Sequence, residues 1–130
     1  MSFEVFLQCY RDSEPFRFPR AVVEEAFPFA DRRDPGCWEL KFPDGGRSDL
    51  YIDDELEIWN LMVSRLARSP ELWTGLFDIL RRTGSMLFWP GGGSVVADES
   101  VVPHLLPDII MEPLTVVREG SEILPIIERS

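Results

Sequence analysis

With 130 residues, 45% of them hydrophobic and 12% aromatic, the chain is long enough to bury one real core and too apolar to be disordered. Its net charge of −10 argues against partners that are themselves anionic, nucleic acid and acidic membrane surfaces, and favours a cationic one. Twelve of the thirteen basic residues are arginine, a skew that reads as GC-rich coding and not as an arginine-built site.

In chain order the pattern is mixed α and β. Phe3 to Cys9 (FEVFLQC) is a short apolar run rich in β-formers and predicts a buried strand, with Cys9 as a small core residue. Pro19 opens a short helix over Arg20 to Phe27, stopped before Pro28. Asp31 to Gly36 (DRRDPG) is a turn. Cys37 to Phe42 and Arg47 to Ile52 are strands joined at Pro43-Asp44-Gly45-Gly46, a tight hairpin signal. Leu56 to Val63 predicts the third strand of that meander. Ser69 then serves as N-cap, Pro70 as first helical residue and Glu71 as a first-turn acid, ahead of Leu72, Trp73, Leu76, Phe77 and Leu80 at helical spacing. Arg81 and Arg82 complement the dipole at the far end, and Gly84 caps it. Strands are expected over Met86 to Trp89, Ser94 to Ala97 and Leu114 to Arg118. Ser100 is expected to cap a short helix ended by Pro107, and Ser121 to Glu128 a last helix interrupted by Pro125. The sum is a single α+β domain over residues 1–130, mostly antiparallel, with helices packed on one face of the sheet.

The opening MSFEVFLQCY carries Glu4 inside its apolar stretch and has no basic leader, so no signal peptide is expected. No apolar run approaches the ~20 residues of a membrane helix. A cytoplasmic location, with Cys9 and Cys37 reduced, is the expectation.

Several segments invite chemistry. Pro90-Gly91-Gly92-Gly93-Ser94 follows a strand as a phosphate loop would, but valines follow where a Walker loop needs lysine and a helix, and no dinucleotide fingerprint is present. A turn between strands is the better account. His104 is the only histidine, too isolated from Cys9 and Cys37 for a zinc site, with no nucleophile elbow in the chain. A scattered triad stays open, as does a plain boundary residue. The strongest outward signal is Asp44 to Glu57 (DGGRSDLYIDDELE), whose six acids and one arginine concentrate half of the chain's net charge. A calcium loop fails on register. If the segment is a strand, Asp53, Glu55 and Glu57 share one face while Leu56 and Ile58 share the other. Three accounts remain: a solvated strand edge, a surface for a basic partner, or paired-carboxylate chemistry. Asp49, Tyr51, Asp53, Asp54, Glu55, Glu57 and Trp59 are the partner-binding candidates, with Tyr51 or Trp59 as apolar anchor. No catalytic residue, metal or cofactor is expected, and the chain is not expected to be an enzyme.

The segments Met1 to Cys9 (MSFEVFLQC), Arg47 to Tyr51 (RSDLY) and Phe88 to Gly92 (FWPGG), on a compact, acidic, arginine-over-lysine chain, resemble the immunity proteins of bacterial polymorphic-toxin and contact-dependent-inhibition systems. The likeness follows the chain in element order and transfers no individual functional residue. It implies a cytoplasmic protein inhibitor that neutralises a cognate toxin, by covering the toxin's active site or holding an inactive form. A scaffold domain whose charge confers only solubility is the alternative, and a small hydrolase built on His104 is a further one.

Overall fold

The computed structural model describes residues 4–130; the expected strand start at Phe3 lies outside them. The sheet runs in the order β10-β9-β8-β1-β7-β5-β4, with β2 paired to the end of β1. Its strands are β1 (Val5–Arg11), β2 (Glu14–Pro15), β4 (Cys37–Lys41), β5 (Arg47–Ile52), β7 (Asn60–Ser64), β8 (Ser85–Phe88), β9 (Ser94–Val96) and β10 (Leu114–Val116). Every pairing is antiparallel except β9 with β10. A separate ribbon joins β3 (Phe18–Pro19) to β6 (Glu57–Ile58).

Strand alternation sends Val5, Leu7 and Cys9 of β1, Leu50 of β5, Leu61 and Val63 of β7 and Leu87 of β8 into one core. The helices α1 (Ala21–Ala26), α2 (Pro70–Thr83) and α3 (Ile123–Arg129) close it through Val22 and Val23, through Leu72, Leu76, Ile79 and Leu80, and through Ile123 and Ile127. Helices thus pack on one face of a mostly antiparallel α+β domain. Gly75 lets α2 approach closely: a Cβ there would sit 2.3 Å from the Phe27 ring. Among the described residues the opposite face is covered at one end. There 3-10 turns at Glu99–His104 and Pro107–Ile109 lay Val101, Val102, Leu105 and Ile109 over Tyr10, Met86 and Val96.

Local details depart from the sequence expectation for physical reasons. Leu56–Val63 is two strands broken at Trp59, because β6 pairs with β3 while β7 pairs with β1 and β5. The Ser69 hydroxyl does not cap α2; it is buried and donates to Asp44 Oδ1 at 2.5 Å. Asp98, not Ser100, caps the turn that follows it, accepting Ser100 N–H at 2.8 Å. Pro125 falls in the first turn of α3, where an absent N–H leaves no bond unmade. Phe77 is only partly buried, whereas Ile79, absent from the expected stripe, is fully buried. Cys9 and Cys37 lie on opposite faces, with two strands between theirs, roughly 14 Å at the ordinary strand spacing, beyond disulfide reach; both are free thiols.

Candidate protein-binding face

The acidic segment is divided by the fold. Asp49 lies on β5, where Arg65 grips it through two hydrogen bonds of 2.7 Å. That grip is built from below. The buried Ser48 hydroxyl donates to Arg65 C=O at 2.8 Å and accepts Ala67 N–H at 3.0 Å, holding Arg65 in a left-handed conformation at φ 53°. The arginine keeps the Asp49 carboxyl below the ordinary carboxylate range. Asp44 is likewise lowered by the Ser69 hydroxyl and by Gly46 N–H.

Residues 53–56 form a turn and not a strand. Asp54 binds Arg20 at 2.7 Å and Glu55 binds Arg17 at 3.0 Å. Arg17 also donates to Glu57 C=O, and Arg20 N–H to Leu56 C=O, so the two arginines strap this turn onto the β3–α1 corner. Leu56, expected on an inward face with Ile58, is 85% exposed, while Ile58 is buried. Much of the charge that looks concentrated along the sequence is therefore offset by Arg17, Arg20 and Arg65. Among the described residues Asp53 and Glu57 have no ion-pair partner of their own.

Asp53 borders the uncovered part of the second sheet face. Register places Phe88, Phe6, Met62, Tyr51 and Cys37 side by side across β8, β1, β7, β5 and β4. This row belongs to the face that carries no α-helix, with Phe88 at the end reached by the 3-10 strap. Phe6 and Phe88 stack at 5.4 Å, Tyr51 is 41% exposed, and Phe6, Met62 and Cys37 are half-buried. Beside the row, a groove of about 280 Å³ is lined by Phe6, Gln8, Tyr51, Asp53, Asn60 and Met62, among others. Trp59 lies next to it, edge-on to Tyr10 at 5.8 Å, and packs on the second core.

Of the sequence candidates, then, Tyr51, Asp53 and Asp49 meet on this face, Trp59 flanks it, and Asp54, Glu55 and Glu57 sit on the strapped corner. Phe6, Met62 and Phe88 were missed as surface residues. The available signal was Phe6 itself, an apolar residue at the parity that Glu4 and Gln8 otherwise mark as the polar face of Phe3 to Cys9.

Other candidates have structural partners. His104 Nδ1 accepts Asp12 N–H at 3.2 Å, and His104 C=O accepts Ser13 N–H at 2.9 Å, tying the β1–β2 turn to the 3-10 strap. The nearby Ser13 hydroxyl donates to Leu105 C=O. Pro90 to Gly93 is the β8–β9 turn, closed by Trp89 N–H to Gly93 C=O. A cleft of about 810 Å³ lies against this turn, β10 and α3. Its Glu122 carboxylate is engaged by the N–H groups of Arg118 and Glu119, and none of the acidic-segment residues lines it. Among the described residues no cluster of His, Cys, Asp or Glu is placed to hold a metal ion, and no helix is long and apolar enough to cross a membrane. The chain matches no protein-family model, no curated protein and no solved structure in comparisons with each.

Proposed function

We propose that the chain is a protein-binding inhibitor of the immunity type, acting in the cytoplasm on a cognate toxin domain with a basic surface, and that it docks through the uncovered sheet face. The observation that carries this reading is the apolar row Phe88–Phe6–Met62–Tyr51 with Asp53 beside it. Tyr51 is exposed and Phe6, Met62 and Phe88 are half-buried, and apolar groups that reach the surface inside a polar rim are the composition of an interface core. A chain with a charge of −10 draws basic surfaces toward it at long range. The aromatic and thioether groups then supply the short-range contact that acidity alone does not.

Co-expression with a cognate toxin domain that has a basic surface tests the reading. Protection should be lost on combining Tyr51→Ala with Met62→Glu, while His104→Ala should protect as well as the native chain. Protection that survives the face variant, or that vanishes with folded His104→Ala, would contradict it; the latter would revive the hydrolase.

A further inference from the structure

Two rows of side chains lie next to each other on the uncovered sheet face. One is the apolar row, with Phe6 opposite Met62 and Met62 opposite Tyr51. The other starts from Gln8 opposite Asn60, two positions along β1 and β7 and therefore on the same face. Asp53 follows Ile52, the last residue of β5. The groove of about 280 Å³ is lined by members of both rows, by Asp53 and by Gly36.

The chemistry of this groove is one-sided. Its apolar part is Phe6, Met62 and the Tyr51 ring, which is 41% exposed. Its polar part is a set of acceptors: the Asp53 carboxylate and the side-chain carbonyls of Asn60 and Gln8. Among the described residues Asp53 has no ion-pair partner and the Asn60 side chain makes no hydrogen bond, while Gln8 accepts only the Tyr10 hydroxyl, at 2.7 Å. The neighbouring Asp54 and Glu55 differ, being held by Arg20 and Arg17. No arginine, lysine or histidine lines the groove. An exposed carboxylate by itself selects no ligand; the aromatic wall and the unfilled amide acceptor beside it do. The volume falls below the ~300–1,000 Å³ of small-molecule pockets and suits one long side chain.

We infer that the groove takes a single arginine side chain of the partner protein, its stem along Phe6 and Met62 and its guanidinium stacked on Tyr51 and forked onto Asp53. The inference rests on the docking role proposed for this face. Arginine suits the groove better than lysine for physical reasons. Its planar head stacks on an aromatic ring and is more weakly hydrated than an ammonium, so it is less costly to desolvate there. Its fork presents two N–H groups to a carboxylate and leaves others for the amide carbonyls of Asn60 and Gln8.

An NMR titration of the isotopically labelled chain with Nα-acetyl-arginine methylamide, at neutral pH and low salt, tests this. The backbone amides of Gly36, Tyr51, Asp53 and Asn60 should shift together and saturate with a Kd of about 1–10 mM, the scale for so small a ligand. The lysine analogue should bind at least about threefold more weakly. The citrulline analogue, similar in shape but uncharged, should bind about tenfold more weakly. Asp53→Asn should weaken the arginine analogue about tenfold. Asp54→Asn removes a carboxylate already held by Arg20 and should change binding less than about twofold. Shifts that do not saturate, that lysine or citrulline matches, that gather at Asp54 and Glu55, or that persist in Asp53→Asn overturn the inference. The titration uses no toxin. Its failure would leave the docking face standing, and a failed co-expression test would leave an arginine-selective groove standing, so the two outcomes are told apart.

Discussion

Ser48 shows how a single buried hydroxyl governs the charge pattern above it. It holds Arg65 C=O and Ala67 N–H, and through Arg65 it holds the clasp on Asp49. Ser48→Ala leaves two buried backbone groups without a partner and should destabilise the chain by about 1–3 kcal/mol in urea unfolding; a change near zero would mean the turn repacks freely. The clasp also has a pH signature. Asp49, Asp44 and Asp98 are all held below their ordinary values by hydrogen bonds. A carboxylate with a depressed folded pKa contributes stability that is present above the unfolded value, about 3.9, and is lost as pH falls through the folded one. The thermal midpoint should therefore drop below about pH 4, less steeply in Asp49→Asn. A midpoint constant down to pH 2 would contradict that assignment. Cys9 behaves in the opposite sense: burial pushes its thiol up to about 11, so it should resist thiol reagents at pH 8. The burial of Cys9 was legible from strand alternation; the Ser48 network was not. Ser48 and its partners lie 17 and 19 positions apart, and no local pattern signals such a bond.

At the level of elements, α2 was legible because its evidence is local: a proline start, an apolar stripe, a basic last turn and a glycine at φ 69°. The hairpin at Asp44-Gly45 was legible for the same reason. The two-residue strands β2, β3 and β6 were not, since each exists only through a partner elsewhere in the chain. The short helix after Asp98 was legible from its cap and prolines, but its 3-10 form and its seat on the sheet, with a second turn at Pro107–Ile109, were not. The contact of α1 with α2 supplies the test at this scale. Gly75→Ala forces a methyl against Phe27 and should cost about 1–3 kcal/mol by overpacking. Leu76→Ala, in the same helix and fully buried, should cost about 2–5 kcal/mol by leaving a cavity. Guanidinium unfolding of the two variants measures both. A neutral Gly75→Ala would show that α1 is free to move away.

For the whole molecule, the charge pattern along the sequence and the charge distribution of the fold differ. Counting charge along Asp44 to Glu57 suggested one acidic surface. In three dimensions Arg17, Arg20 and Arg65 return to that segment, and exposed pairs of this kind contribute little net stability while flattening the local field. What remains is a helix-free sheet face whose apolar row is assembled from strands far apart in sequence. That row became visible only with the register. If it is the docking surface, affinity should depend on contact groups and not on the number of carboxylates. Surface plasmon resonance against the toxin domain at 0.15 M salt separates the two. Tyr51→Ala with Met62→Glu should raise Kd by about a hundredfold, as loss of a central hot spot does. Asp54→Asn with Glu55→Gln, which removes only strapped charges, should change it less than about threefold. The reverse ranking, with binding lost at Asp54 and Glu55 and unchanged at Tyr51 and Met62, would contradict the account and place the contact on the acidic corner.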